Sequence, residues 1–112
     1  MLLQAWFRAF TLTCLIEVPI VAVGTRSSGR GLRRRLLVAF CAQLLTHPFV
    51  WFVFPNLPGV DAEVAFTLSE LYAWLGEFVF YVLLLPGVGA ARAAGLSGVA
   101  NALSLGVGLL LG

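Results

Sequence analysis

Four long apolar stretches, each broken by a few isolated polar residues, set the pattern of this chain. They cover residues 2–24, 36–54, 62–85 and 93–111. Coiled at 1.5 Å per residue, each is long enough to cross a hydrocarbon core about 30 Å thick. The intervening segments have turn chemistry. Thr25–Arg35 mixes Gly and Ser with arginines, Pro55–Asp61 holds Pro58 and Gly59, and Pro86-Gly87 leads into Val88–Arg92. The pattern predicts an all-α fold: one domain over residues 1–112, built as a bundle of four transmembrane helices. Arg8 and Glu17 inside the first stretch argue against its being a cleaved leader.

The third stretch organises the polar residues. Glu70 and Glu77 lie seven residues apart, hence on one helix face, about two turns or roughly 10 Å apart. Thr67, Trp74 and Tyr81 continue the same spacing as a single stripe. A carboxyl group inside a bilayer costs free energy unless something receives it, so the other helices are expected to supply partners. The first offers Thr13 and Glu17, one turn apart. The second offers Gln43, Thr46 and His47, followed by Pro48. That proline lacks an N–H and leaves the carbonyl of Leu44 free. The fourth offers Asn101 and Ser104.

Depth brings these residues together. Counted from the arginine-bearing helix ends, Glu17, Gln43, Glu77 and Asn101 lie about 9–13 Å deep at the helical rise. His47 and Glu70 lie at roughly 18–23 Å by the same arithmetic. Thr13, Thr46 and Ser104 fall between the two tiers. The fourth helix carries a second pattern, Ala94, Gly98, Ala102 and Gly106, with a small residue at every fourth position. Such a ridge predicts close backbone approach to a neighbouring helix.

Composition agrees with a membrane setting. Of 112 residues 61% are hydrophobic and 11% charged, too apolar a balance for a water-soluble domain of this size. All seven basic residues are arginines, and Arg26, Arg30, Arg33, Arg34 and Arg35 share the first loop. The positive-inside rule places that loop, with Arg92, in the cytoplasm. Both termini and the 56–63 loop are then expected outside, where Trp6, Phe7, Phe10, Trp51, Phe54 and Phe66 form an interfacial belt. The expected location is the cell membrane as a multi-pass protein, in a bacterium the inner membrane. Cys14 and Cys41 lie inside apolar runs without CxxC spacing, which suits reduced, packed thiols.

Three glutamates and a histidine exceed what helix packing requires. Glu17, His47, Glu70 and Glu77 could ligate a divalent metal, zinc, manganese or iron, or pass protons along a file, as in ion transport. Gln43, Thr46, Asn101, Thr13 and Ser104 would support either use. The competing expectation is a purely structural network, which makes the chain a non-catalytic accessory or structural subunit of a larger membrane complex. Whether it is an enzyme stays open: Glu and His can act as acid and base, yet no nucleophile motif accompanies them. Walker loops, dinucleotide fingerprints and nucleic-acid motifs are missing from the sequence. The expected partners are the lipid bilayer and either further copies of the chain or a larger complex, not nucleic acid.

Overall fold

A computed structural model describes residues 2–111. It is all-helical: α1 (Leu2–Gly24), α2 (Leu32–Pro48), α3 (Ala62–Leu84) and α4 (Ala90–Leu111). All four are long and apolar enough to span a membrane, α2 counted with its continuation to Asn56. α1 packs against α2 and α4, and so does α3. The helices thus form a four-cornered ring with α1 and α3 on one diagonal. One end of the ring, the arginine end, holds the loop after α1 and the loop between α3 and α4. The other, the terminal end, holds Leu2, Leu111 and the loop between α2 and α3.

Two helices begin earlier than the sequence pattern suggests, α2 at Leu32 rather than residue 36 and α4 at Ala90 rather than residue 93. Arg33, Arg34, Arg35 and Arg92 are therefore helical residues of a first turn. Arginine is a good helix former, and the breaks fall instead at Gly31 and at Gly89, whose φ is +89°. Positive charge near a helix N-terminus is unfavourable. Three of these side chains offset it by reaching the C-terminal carbonyls of neighbouring helices. Arg35 donates to the Ala22 carbonyl and to the Arg30 carbonyl. Arg92 donates to Gly24 at 2.8 Å, and Arg34 to Leu84 at 3.2 Å. The residues expected only to orient the chain also cap α1 and α3.

The buried apolar cluster fills the same half, with Val21, Ala39, Tyr81, Leu85 and Ala93 fully enclosed. The two loops dock above it. Gly87, at φ +110°, lies so near the Ser28 carbonyl that a Cβ would sit 3.2 Å from that oxygen. Outward-facing positions remain apolar, among them Leu15, Leu83 and Leu110.

Beyond Pro48 the second helix widens into a π-helical turn, Phe49–Val53, and then tightens into a 3₁₀ turn, Phe54–Asn56. The Phe49 N–H turns back to Thr46. The Leu45 carbonyl accepts the Tyr72 hydroxyl at 3.3 Å. A side chain therefore takes up the carbonyl next to the one expected from the proline alone. α3 starts at Asp61, whose Oδ1 accepts the Val64 N–H at 2.9 Å, a standard N-cap.

The α3 stripe does not stay on one face. The buried face is Ala65, Ser69, Ala73, Glu77 and Tyr81. Thr67 is exposed and donates to its own helix at Glu63, while Trp74 turns toward α4 and donates to the Ala94 carbonyl at 2.9 Å. The small-residue ridge of α4 divides in the same way. Ala94 and Gly98 lie against α3, where a Cβ on Gly98 would stand 3.3 Å from Trp74 Nε1. Ala102 and Gly106 are exposed, and a Cβ on Gly106 would meet nothing within 4 Å. The inward face is instead Ala93, Ser97 and Ala100, with Asn101 and Ser104 half-buried. An unmet polar group costs more than an uncovered glycine, so α4 turns its Ser and Asn side chains inward.

Candidate functional site

Two carboxyls on diagonal helices meet at mid-bundle. Glu17 of α1 and Glu77 of α3 are each 1% exposed. Between them stands Gln43 of α2, whose Nε2 donates to Glu17 Oε1 at 3.0 Å and to Glu77 Oε1 at 3.3 Å. Each carboxyl gathers further donors. Ser104 Oγ reaches Glu17 Oε2 at 2.6 Å. Thr46 Oγ1 reaches Glu77 Oε2 at 3.0 Å, and Asn101 Nδ2 reaches Glu77 Oε1 at 3.2 Å. Tyr81, one turn below, holds its hydroxyl 3.5 Å from the same oxygen. All these donors are neutral and aim at carboxyl oxygens, so the array is complementary to negative charge at its centre.

The helices fix this geometry through elementary spacing. Glu77 and Tyr81 share one α3 face at i, i+4, and Asn101 and Ser104 share one α4 face at i, i+3. Asn101 is held by a second bond to the Ser97 carbonyl at 2.8 Å. Ser97 in turn donates to the Trp74 carbonyl at 2.8 Å, tying α4 to α3 beside the site.

The lower tier expected from depth, Glu17, Gln43, Glu77 and Asn101, is thus brought into one hydrogen-bonded group, and Thr46 and Ser104 join it. His47 and Glu70 are not part of that group. The His47 ring lies among Trp6, Phe10 and Trp51, with centroids 6.2, 5.5 and 6.3 Å away. Its Nε2 stands 3.4 Å from Thr13 Oγ1, while Nδ1 is buried without a partner. Glu70 is half-buried and has no side-chain hydrogen bond among the described residues. Among the described residues no three His, Cys, Asp or Glu side chains stand together as metal ligands. Glu17, His47, Glu70 and Glu77 therefore do not form one coordination centre.

What connects the tiers is a cavity. It measures about 1000 Å³ and is lined by all four helices. Arg8, Val60 and Leu111 line it at the terminal end, His47 and Glu70 along the walls, and Glu17, Gln43, Glu77 and Asn101 at the floor. Ser69 and Glu70 both line it, although as sequence neighbours they point in different directions. Depth arithmetic does not reveal such a space. One signal for it was legible: Ala5, Ala9, Thr13 and Glu17 recur every fourth residue on α1, small or polar along one face. Arg8 beside that face is the charged lining residue that depth alone does not single out.

The fold and the site together define a class, an apolar four-helix bundle with a buried carboxyl pair at the foot of an axial cavity. Compared with protein-family models, curated proteins and solved structures, the chain matches none.

Proposed function

We propose that the chain is an integral membrane protein that binds a cation, a proton or a single positively charged group, between Glu17 and Glu77. The cavity gives access from the terminal end. The arginine loop faces the cytoplasm, and both termini lie outside. The observation that carries the reading is the Gln43 amide, which reaches a carboxyl on each of two diagonal helices at the floor of an open space. Ionisable groups at such depth mark ion or proton pathways far more often than packing devices. Lining residues that run from the terminal end down to the carboxyl pair suit the passage of a cation, and transport is the use we favour. His47 and Glu70 on the walls are positioned to hand the cation toward the floor. A divalent metal among zinc, manganese and iron fits less well, because two carboxylates without a nearby imidazole fall short of its usual ligand set.

The test is thermal stability of wild type, Glu17→Gln, Glu70→Gln and Glu77→Gln, across pH and with added Na⁺, Zn²⁺ or Mn²⁺. A bound cation raises wild-type stability by mass action. Protons compete for the same oxygens, so ion-dependent stabilisation should fade as the pH falls. Glu17→Gln and Glu77→Gln should abolish the response, with Glu70→Gln weakening it less. A wild type indifferent to ions and pH, matched by all three variants, would exclude the site.

A second reading has its own observation. α4 exposes Gly95, Ala102 and Gly106 along its outer surface, where a further helix could approach closely. That favours an accessory subunit of a larger membrane complex, and cross-linking in native membranes from a Gly106→Cys variant would reveal its neighbour.

A further inference from the structure

The cavity is far larger than the charge its floor is shaped to meet. At about 1000 Å³ it stands at the upper end of pockets that enclose small organic molecules, whereas a proton or bare ion needs only the floor. The walls between floor and mouth include Val50, Trp51, Phe66, Ala73 and Leu105. These apolar stretches of wall give nothing to the hydration shell of an inorganic ion. They do cover hydrocarbon or ring surface, and an aromatic face attracts a cation. Three carboxyls line the cavity, Glu17, Glu70 and Glu77, against one guanidinium, Arg8. The balance favours a positively charged guest.

Acceptor geometry narrows the guest further. An ionised carboxylate offers about four lone-pair sites. Glu17 accepts from Gln43 and Ser104, which leaves two. Glu77 accepts from Gln43, Asn101 and Thr46, which leaves one when the long Tyr81 contact is set aside. A divalent metal takes four or more ligands at about 2.0–2.6 Å, more than these three free sites supply without displacing a donor. An ammonium N–H needs only a free lone pair at about 2.8 Å, and a primary ammonium has three such hydrogens. A quaternary ammonium has none and forgoes the floor.

We infer that the ligand of this cavity is a primary amine with an apolar body. Its ammonium group rests on Glu17 and Glu77, and its body lies against Ala73 and Leu105, toward Trp51. The inference depends on the cation-site reading above and adds the chemical class of the guest.

The probe is radiolabelled 2-phenylethylamine, cationic at neutral pH, in equilibrium dialysis with the purified full chain in lipid nanodiscs. Empty nanodiscs subtract partitioning into lipid. Saturable binding, one per chain, is expected. Unlabelled 2-phenylethanol, which keeps the body and lacks the charge, should not compete, nor should phenyltrimethylammonium, which keeps the charge and lacks the N–H. Glu17→Gln and Glu77→Gln should each weaken binding about tenfold or more, as loss of a buried charge partner does. No saturable binding, equal competition by either analogue, or unchanged binding in both glutamine variants overturns the amine assignment. If the pH and ion response survives that result, the cation site stands without an organic ligand. If the response is lacking too, both readings fall.

Discussion

The two halves of the bundle are built on opposite principles. Toward the arginine end the helices are pressed together around Val21, Ala39, Leu85 and Ala93, and guanidinium groups tie one helix to the carbonyl end of the next. Toward the terminal end the same four helices stand around open space. Side-chain size along single faces accounts for the difference. On α1 and α3 the terminal half presents Ala5, Ala9, Ala65, Ser69 and Ala73 to the axis. The arginine half presents Val21, Tyr81 and Leu85. The carboxyl pair sits where one regime gives way to the other. A polar group placed higher would be bathed by whatever fills the cavity, and one placed lower would meet only hydrocarbon.

Thiol accessibility breaks this comparison most sharply. With Cys14 and Cys41 replaced by Ala, a cysteine at Ala65 on the cavity wall should react with a charged, membrane-impermeant thiol reagent. A cysteine at Ala39, fully buried in the closed half, should stay unreactive from either side. Gly59→Cys and Gly29→Cys report orientation in the same experiment: reagent outside should reach residue 59 and not residue 29. Labelling at Ala39 comparable to that at Ala65 would mean that the closed half is not closed.

Truncation gives the next largest effect. Leu85→Ala removes a side chain with no exposed surface and should cost about 2–5 kcal/mol. Leu109→Ala, at an exposed position of the open half, should stay within about 0.5 kcal/mol. Denaturant or steric-trap unfolding measures both, and equal losses would contradict the asymmetry. Added volume should discriminate least. Gly98→Leu collides with Trp74 and its bond to Ala94, and overpacking of this sort costs about 1–3 kcal/mol. Gly106→Leu enters open space and should leave the melting temperature unchanged.

Helix number and the convergence of polar residues were legible in the sequence because both depend on distance along the helix axis, which residue counting supplies. The lower tier of Glu17, Gln43, Glu77 and Asn101 is the clearest instance. What counting does not supply is rotation about that axis. The Ala94–Gly106 ridge and the face that carries Ser97, Asn101 and Ser104 are neighbours on α4, and small size alone does not say which faces inward. Demand for hydrogen-bond partners chose the second. The same blindness to rotation took Thr67 and Trp74 for companions of Glu77. The early starts of α2 and α4 escaped for another reason: arginines between apolar runs read as loop, although their side chains can leave a helix and reach a neighbour. The cavity was the least legible feature, since it depends on four faces at once.

Gln43 has a consequence of its own. Both hydrogens of its amide are committed, one to a carboxyl on α1 and the other to a carboxyl on α3. The residue behaves as a gauge stretched across the bundle diagonal. Any sliding of α1 past α3 lengthens one of the two bonds, and any guest that draws on either carboxyl alters the tension on the other. Under the proposed function, occupancy and helix register become conjugate quantities, each setting the other by the same free energy. Gln43→Leu cuts the gauge and should let α1 and α3 slip against each other more easily.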